Sequence, residues 1–114
     1  MTNYPEPLDQ VFHALADPTR RAVVQRLCEG PASVSELAKP FEMKLPTFLQ
    51  HVRVLERSGL VRSTKRGRVR TCEMEPARLS AAATWITDQR ALWEARLDRL
   101  ERLLRETSPS ETGT

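Results

Sequence analysis

An unbroken helical repeat in the last third of the chain limits its fold most. Leu79, Ala82, Ala83, Ile86, Trp93, Leu97, Leu100 and Leu104 fall on one helix face at spacings built from threes and fours, and Trp85 and Leu92 widen the stripe. Pro76 opens this helix and the pattern lasts to about Glu106, a rod of roughly 44 Å. A chain of 114 residues has too few preceding helices to cover such a stripe. The simplest cover is the same helix from a second copy, in an isologous two-fold interface. Leu79, Ala83, Ile86, Trp93, Leu97 and Leu100 are therefore expected in a homodimer seam. Arg90, Glu94, Asp98, Arg99, Glu101, Arg102 and Arg105 mix signs on the outer, solvated face. The alternative is a helix folded back on its own core.

Upstream, short helices follow one another. Residues 1–7 contain Pro5 and Pro7 and are expected to be flexible. Leu8, Val11, Phe12, Leu15 and Ala16 mark a first amphipathic helix. Asp17-Pro18 then supplies an N-cap and a first-turn proline for a second helix, which buries Ala22, Val23 and Leu27 and stops at Glu29-Gly30-Pro31. Ser33-Val34-Ser35-Glu36 is a capping box opening a third helix that turns Val34, Leu37 and Ala38 inward. A tight connection from Pro40 to Met43 leads to a fourth helix at about Leu45 to Ser58, with Gly59 as its C-cap. Two helices joined in this way form a helix-turn-helix. Leu60 to Thr64 reads as a strand, Lys65-Arg66-Gly67 as a turn and Arg68 to Met74 as a second strand, together a hairpin. The fold class is mainly α with a β-hairpin wing: a winged helix-turn-helix domain over 8–106, with the wing at 60–75 and the dimerisation helix at 76–106. Residues 107–114 form a Ser-, Thr-, Pro- and Gly-containing tail expected to be disordered.

The net charge of +3 is mild, but its placement is not. Residues 44–71 hold eight basic side chains and one acidic, whereas residues 1–43 hold four and six, and residues 72–114 hold six and eight. A one-sign block of this kind points to a polyanion. On the fourth helix Phe48, Val52 and Leu55 form the buried stripe. The opposite face carries Pro46, Gln50, Arg53 and Arg57, flanked by Thr47 and Val54 on one side and Leu49 on the other. Gln50 suits adenine and Arg53 suits guanine in a major groove. Thr47 can meet a thymine methyl or a phosphate, and Leu49 either packs at the edge of the core or meets a thymine methyl. Lys44 and the helix N-terminus suit phosphate, and His51 is either structural or a phosphate contact. Arg62, Lys65, Arg66, Arg68 and Arg70 stand on the hairpin with no acid between 60 and 71, five unneutralised cations that a DNA backbone would compensate. A charged edge that only blocks aggregation is the bland alternative.

These residues resemble the ArsR-type winged-helix repressors over nearly the whole chain, from Leu8 to about Leu104. The resemblance rests on Phe12-His13-Ala14-Leu15-Ala16-Asp17-Pro18-Thr19-Arg20-Arg21, Ser33-Val34-Ser35-Glu36-Leu37-Ala38, Gln50-His51-Val52-Arg53-Val54-Leu55-Glu56, Ser58-Gly59-Leu60-Val61 and the Arg-rich hairpin ending in Glu75-Pro76. It implies a homodimer, a double-stranded DNA operator, expected to be an inverted repeat, and transcriptional repression. It also implies that the first helix, with Leu8 and Phe12, joins the dimer interface. The chain departs from the family pattern at Lys44, Leu45, Leu49 and Gln50, so no operator sequence carries over. Metal-sensing members place paired Cys on the third helix, or Asp and His on the last. Here the third helix is Glu36-Leu37-Ala38-Lys39-Pro40 and the last has Asp88 without His, which suits a metal-independent branch with no cofactor.

Other function classes fare worse. No apolar run is long enough to cross a membrane, and Met1-Thr2-Asn3-Tyr4-Pro5 lacks a signal-peptide pattern, so a cytoplasmic protein is expected. Cys28 and Cys72 form neither a disulfide framework nor a zinc pattern, and His13 and His51 lack partners at ligand spacing. No nucleophile–base pair or Gly-rich phosphate loop argues for an enzyme. Two alternatives keep the fold: a protein-interaction module whose partner is acidic, and a thiol-redox regulator acting through Cys28 or Cys72.

Overall fold

The computed structural model describes residues 6–107, in the order α1 (Glu6–Leu15), α2 (Pro18–Leu27), β1 (Ala32–Ser33), α3 (Val34–Ala38), α4 (Leu45–Arg57), β2 (Val61–Arg66), β3 (Val69–Met74) and α5 (Pro76–Thr107). Most of the two ends expected to be flexible, 1–7 and 107–114, lies outside the described residues. Their inner edges do not, because α1 already includes Glu6 and Pro7 and α5 runs through Thr107.

The chain divides after Ala82 into two compact units. The first holds α1 to α4, the sheet and the opening turns of α5. Its core is built from Val11 and Ala14 of α1, Val23, Val24 and Leu27 of α2, Val34 and Leu37 of α3, Phe48, Val52 and Leu55 of α4, Leu60 and Val61 before and in β2, Cys72 of β3 and Ala82 of α5. Ala22, expected inside, is exposed, and Val24 takes its place because the inward line of α2 runs through Val23, Val24 and Leu27. Phe41 stacks at a tilt on Phe48, ring centroids 5.5 Å apart, and fixes the turn between α3 and α4. The capping box of α3 is complete: the Glu36 backbone N–H donates to Ser33 Oγ, and the Ser33 backbone N–H donates to Glu36 Oε1. The Ser33 backbone N–H, and after it the Ser33 side chain, hold the Glu36 carboxyl below its ordinary value.

The sheet has three strands in the order β1-β3-β2, all antiparallel. β1 is two residues long, with Ala32 opposite Cys72 and Ser33 opposite Thr71, and nothing in the sequence pattern announces it. The hairpin turn differs from expectation. Arg66 pairs with Val69, so β2 runs through Lys65 and Arg66, and the loop is Gly67-Arg68. Gly67 has φ +62° and Arg68 does not have a positive φ, which fits a two-residue turn with glycine at its first central position.

The second unit is the rest of α5. The whole helix has 32 residues, about 48 Å, and every described side chain from Ala83 to Thr107 is exposed.

Candidate nucleic-acid interface

The Ala-Asp-Pro-Thr-Arg-Arg run builds the corner behind α4. Asp17 caps α2 by accepting from the Arg20 backbone N–H at 3.1 Å, and Pro18 opens the first turn. Arg20 folds back over the end of α1, donating Nε–H to the Ala14 carbonyl at 2.7 Å and Nη2–H to the His13 carbonyl at 3.1 Å. Arg21 donates to the Leu15 carbonyl. Carbonyls that α1 leaves open at its C-terminus are thereby satisfied. The remaining Arg20 nitrogen, Nη1, lies 3.1 Å from His51 Nδ1 on α4. Arginine only donates, so this contact is a hydrogen bond when Nδ1 accepts. Asp17 Oδ2 stands 3.8 Å from the same Nδ1. Partial burial pushes the Asp17 carboxyl up, but the Arg20 backbone bond, the His51 and Arg20 side chains and the Thr19 backbone N–H outweigh it and hold it below its ordinary value. His51 thus faces inward to this corner with one nitrogen committed.

On α4 the buried stripe is Phe48, Val52 and Leu55, as its periodicity predicts. Lys44, Thr47, Gln50, Arg53 and Arg57 are exposed, and Leu49 is half-buried against the core edge. Lys44 occupies the N-cap position without a side-chain cap bond, and Pro46 lies in the first turn. The start of α4 therefore presents open backbone N–H groups beside a cation, which suits a phosphate. Leu45 is more than half exposed at 53%.

The wing corrects the expectation of five unneutralised cations. Arg62 donates to Glu73 at 2.9 Å and to Glu75 at 3.0 Å. Register is the reason: Arg62 stands directly opposite Glu73 across the two strands, where opposite charges meet. Both acids lie just past residue 71, outside the stretch whose lack of acids suggested free charge. Arg70 is engaged as well. It pairs with Lys65 on the face that also holds Ser63, Cys72 and Val61, and that face looks toward α4. Its Nη1 donates to Ser63 Oγ at 2.9 Å and lies 3.9 Å from Glu56 Oε2 of α4, and Ser63 Oγ donates to Glu56. Among the described residues, Lys65, Arg66 and Arg68 have no acidic partner, and all three cluster at the hairpin tip. Arg68 and Arg70 do not share a strand face, since Arg68 lies in the turn.

Cys72 sits beneath this cluster, fully buried. Burial, and then the nearby Glu56 carboxylate, push its thiol up to about 11 against a smaller opposing pull from Arg70. A thiol so held stays protonated and slow to react. Cys28 is exposed.

The residues expected in a dimer seam divide between the two units. Leu8, Phe12 and Leu79 are partly buried against the first unit's own core. In the second unit Ala83, Ile86, Trp93, Leu97 and Leu100 are exposed, as are Leu92, Leu103 and Leu104. Among the described residues no group of three or more His, Cys, Asp or Glu is placed to hold a metal ion.

A bihelical unit with an open reading face and a basic hairpin tip defines a winged helix-turn-helix DNA-binding protein. A family model described as a helix-turn-helix domain matches residues 15–64. The HTH-type transcriptional regulator Rv2034 of Mycobacterium tuberculosis is 40% identical over 84 residues, covering 74% of this chain and 78% of that protein. The crystal structure of an ArsR family transcriptional regulator superposes with a TM-score of 0.76 at 56% identity, covering 82% of this chain and 97% of that one. The transcriptional repressor SdpR of Bacillus subtilis is 23% identical over 79 residues, 69% of this chain and 88% of SdpR. The chain belongs to the ArsR family of transcriptional regulators, as the relatives above are transcriptional regulators.

Proposed function

We propose that the chain is a cytoplasmic, sequence-specific transcriptional repressor that binds an inverted-repeat operator as a homodimer and needs no metal effector. The observation that carries this reading is the exposed α4 face of Thr47, Gln50 and Arg53, on a unit whose wing tip holds Lys65, Arg66 and Arg68 without acidic partners. Gln50 and Arg53 read base edges. Thr47 and Leu49 contact thymine methyls or backbone, and Lys44 with the start of α4 takes a phosphate. His51 braces α4 against the α1–α2 corner rather than reading a base. Relationship to a repressor, SdpR, supports the sign of regulation. The absence of Cys from α3 and of His from α5 supports metal independence, since those are the family's ligand positions. The buried, protonated Cys72 argues against a redox switch at that residue.

The test is a titration against the DNA upstream of the protein's own coding region, beside a scrambled duplex, at two salt concentrations. The expected result is preferential, salt-sensitive binding of two protomers per site. Arg53→Ala should erode the preference between duplexes more than the overall affinity. Equal binding to both duplexes by the unaltered protein, together with capture of an acidic protein partner by residues 44–71, would favour the interaction module.

A further inference from the structure

We propose that Glu56 is a positioning residue that locks the wing to the reading helix and withholds Arg70 from DNA. The inference rests on the DNA-binding reading above and deepens it. Glu56 lies one turn beyond Arg53 on α4, between the reading face and the buried stripe, and its side chain is 28% exposed. Its Oε2 accepts from Ser63 Oγ of β2 and lies 3.9 Å from Arg70 Nη1 of β3, which itself donates to Ser63 Oγ at 2.9 Å. One carboxylate therefore ties the last turn of α4 to both strands of the hairpin. Core packing beneath, with Val61 and Cys72 buried on the same sheet face, sets this arrangement before any DNA arrives.

The arrangement changes how the wing's charge counts. A cation strengthens DNA binding with salt dependence when it replaces condensed counterions on phosphate. Arg70 already has a carboxylate partner and a hydroxyl acceptor, and moving to a phosphate would strand Glu56. Arg62 is held similarly by Glu73 and Glu75. The wing's working cations are then Lys65, Arg66 and Arg68, and the hairpin tip is carried at an angle to Gln50 and Arg53 that Glu56 maintains.

The experiment measures the slope of log affinity against log salt for the full chain on the upstream duplex, in four forms: unaltered, Arg70→Gln, Glu56→Gln and the double variant. Arg70→Gln alone should leave the slope unchanged. Glu56→Gln keeps an acceptor for Ser63 but frees Arg70, so the slope should steepen by about 0.9 per protomer. The double variant should return to the unaltered value. A slope that flattens by about 0.9 per protomer in Arg70→Gln alone would overturn the inference, because it would show Arg70 already on phosphate. So would a steepening that persists in the double variant, which would come from the lost Glu56 charge itself. Should Glu56→Gln fail to melt cooperatively, Arg70→Gln decides alone, since its side chain is 43% exposed and supports no core. Salt-independent or absent binding by all four forms would overturn both this inference and the repressor reading; altered slopes with intact binding bear on Glu56 only.

Discussion

Asp17 does two jobs with one carboxylate, closing the first turn of α2 and sitting 3.8 Å from the His51 ring that braces α4. Its carboxyl is held below the ordinary value of 3.8. A depressed acid contributes stability above its unfolded pKa and loses it as pH falls through the folded one. Asp17→Asn keeps a capping oxygen but removes the charge. In urea unfolding the unaltered protein should therefore exceed the variant near neutral pH, and the gap should close below about pH 4. A gap of the same size at pH 7 and at pH 2.5 would remove the charge from the account. Single residues show the limits of sequence reading as well. Asp17, Pro18, Ser33 and Glu36 were legible because caps act over three or four neighbours. The pairing of Arg62 with Glu73, and of Arg70 with Glu56, was not. Those contacts span 11 and 14 positions and depend on the strand register, which one residue of turn placement alters.

Helices are the legible elements here, because each carries a stripe with a period that only a helix satisfies. Val34 and Leu37 on α3, and Phe48, Val52 and Leu55 on α4, lie where their spacing puts them. Strands fared less well. β1 has two residues, too few to alternate, and exists only because β3 offers it an edge. The hairpin loop moved toward Arg68 because Gly67, with φ +62°, serves the first central position of the turn rather than its end. The join between α4 and β2 depends on a second glycine. Gly59 has φ +82°, and a Cβ there would approach Arg78 Cγ to 2.9 Å. Beside it Ser58, buried at the C-cap, donates to the Leu55 carbonyl and accepts from the Leu60 N–H. Gly59→Ala should cost about 1–2 kcal/mol for the left-handed backbone alone, read as a lower urea midpoint at unchanged slope. An unchanged midpoint would mean that the junction relaxes into another conformation without cost.

At the scale of the molecule, the two units answer different needs. The first has a core of its own, with Phe48, Leu55 and Leu60 fully buried. The second does not bury its apolar side chains within one chain: Ile86, Trp93, Leu97, Leu100 and Leu104 are 44–61% exposed along one face. Solvent exposure of that much apolar surface is unfavourable at about 25 cal/mol per Å², and a long contiguous patch marks an association surface. The proposed homodimer would pair two copies along it, and its two reading helices would meet half-sites about one turn apart, roughly 34–36 Å. Leu97→Asp with Leu100→Asp places two charges in the middle of the stripe without touching the first unit's core. The variant should sediment as a monomer, keep a cooperative melt of the first unit, and lose most operator affinity because each half-site is then bound alone. Inserting half a helical turn between half-sites should weaken binding by the unaltered protein similarly, and a full turn should restore part of it. If the double-Asp variant remained dimeric, α5 would not be the seam, and the partly buried Leu8 and Phe12 of α1 would be the next surface to alter.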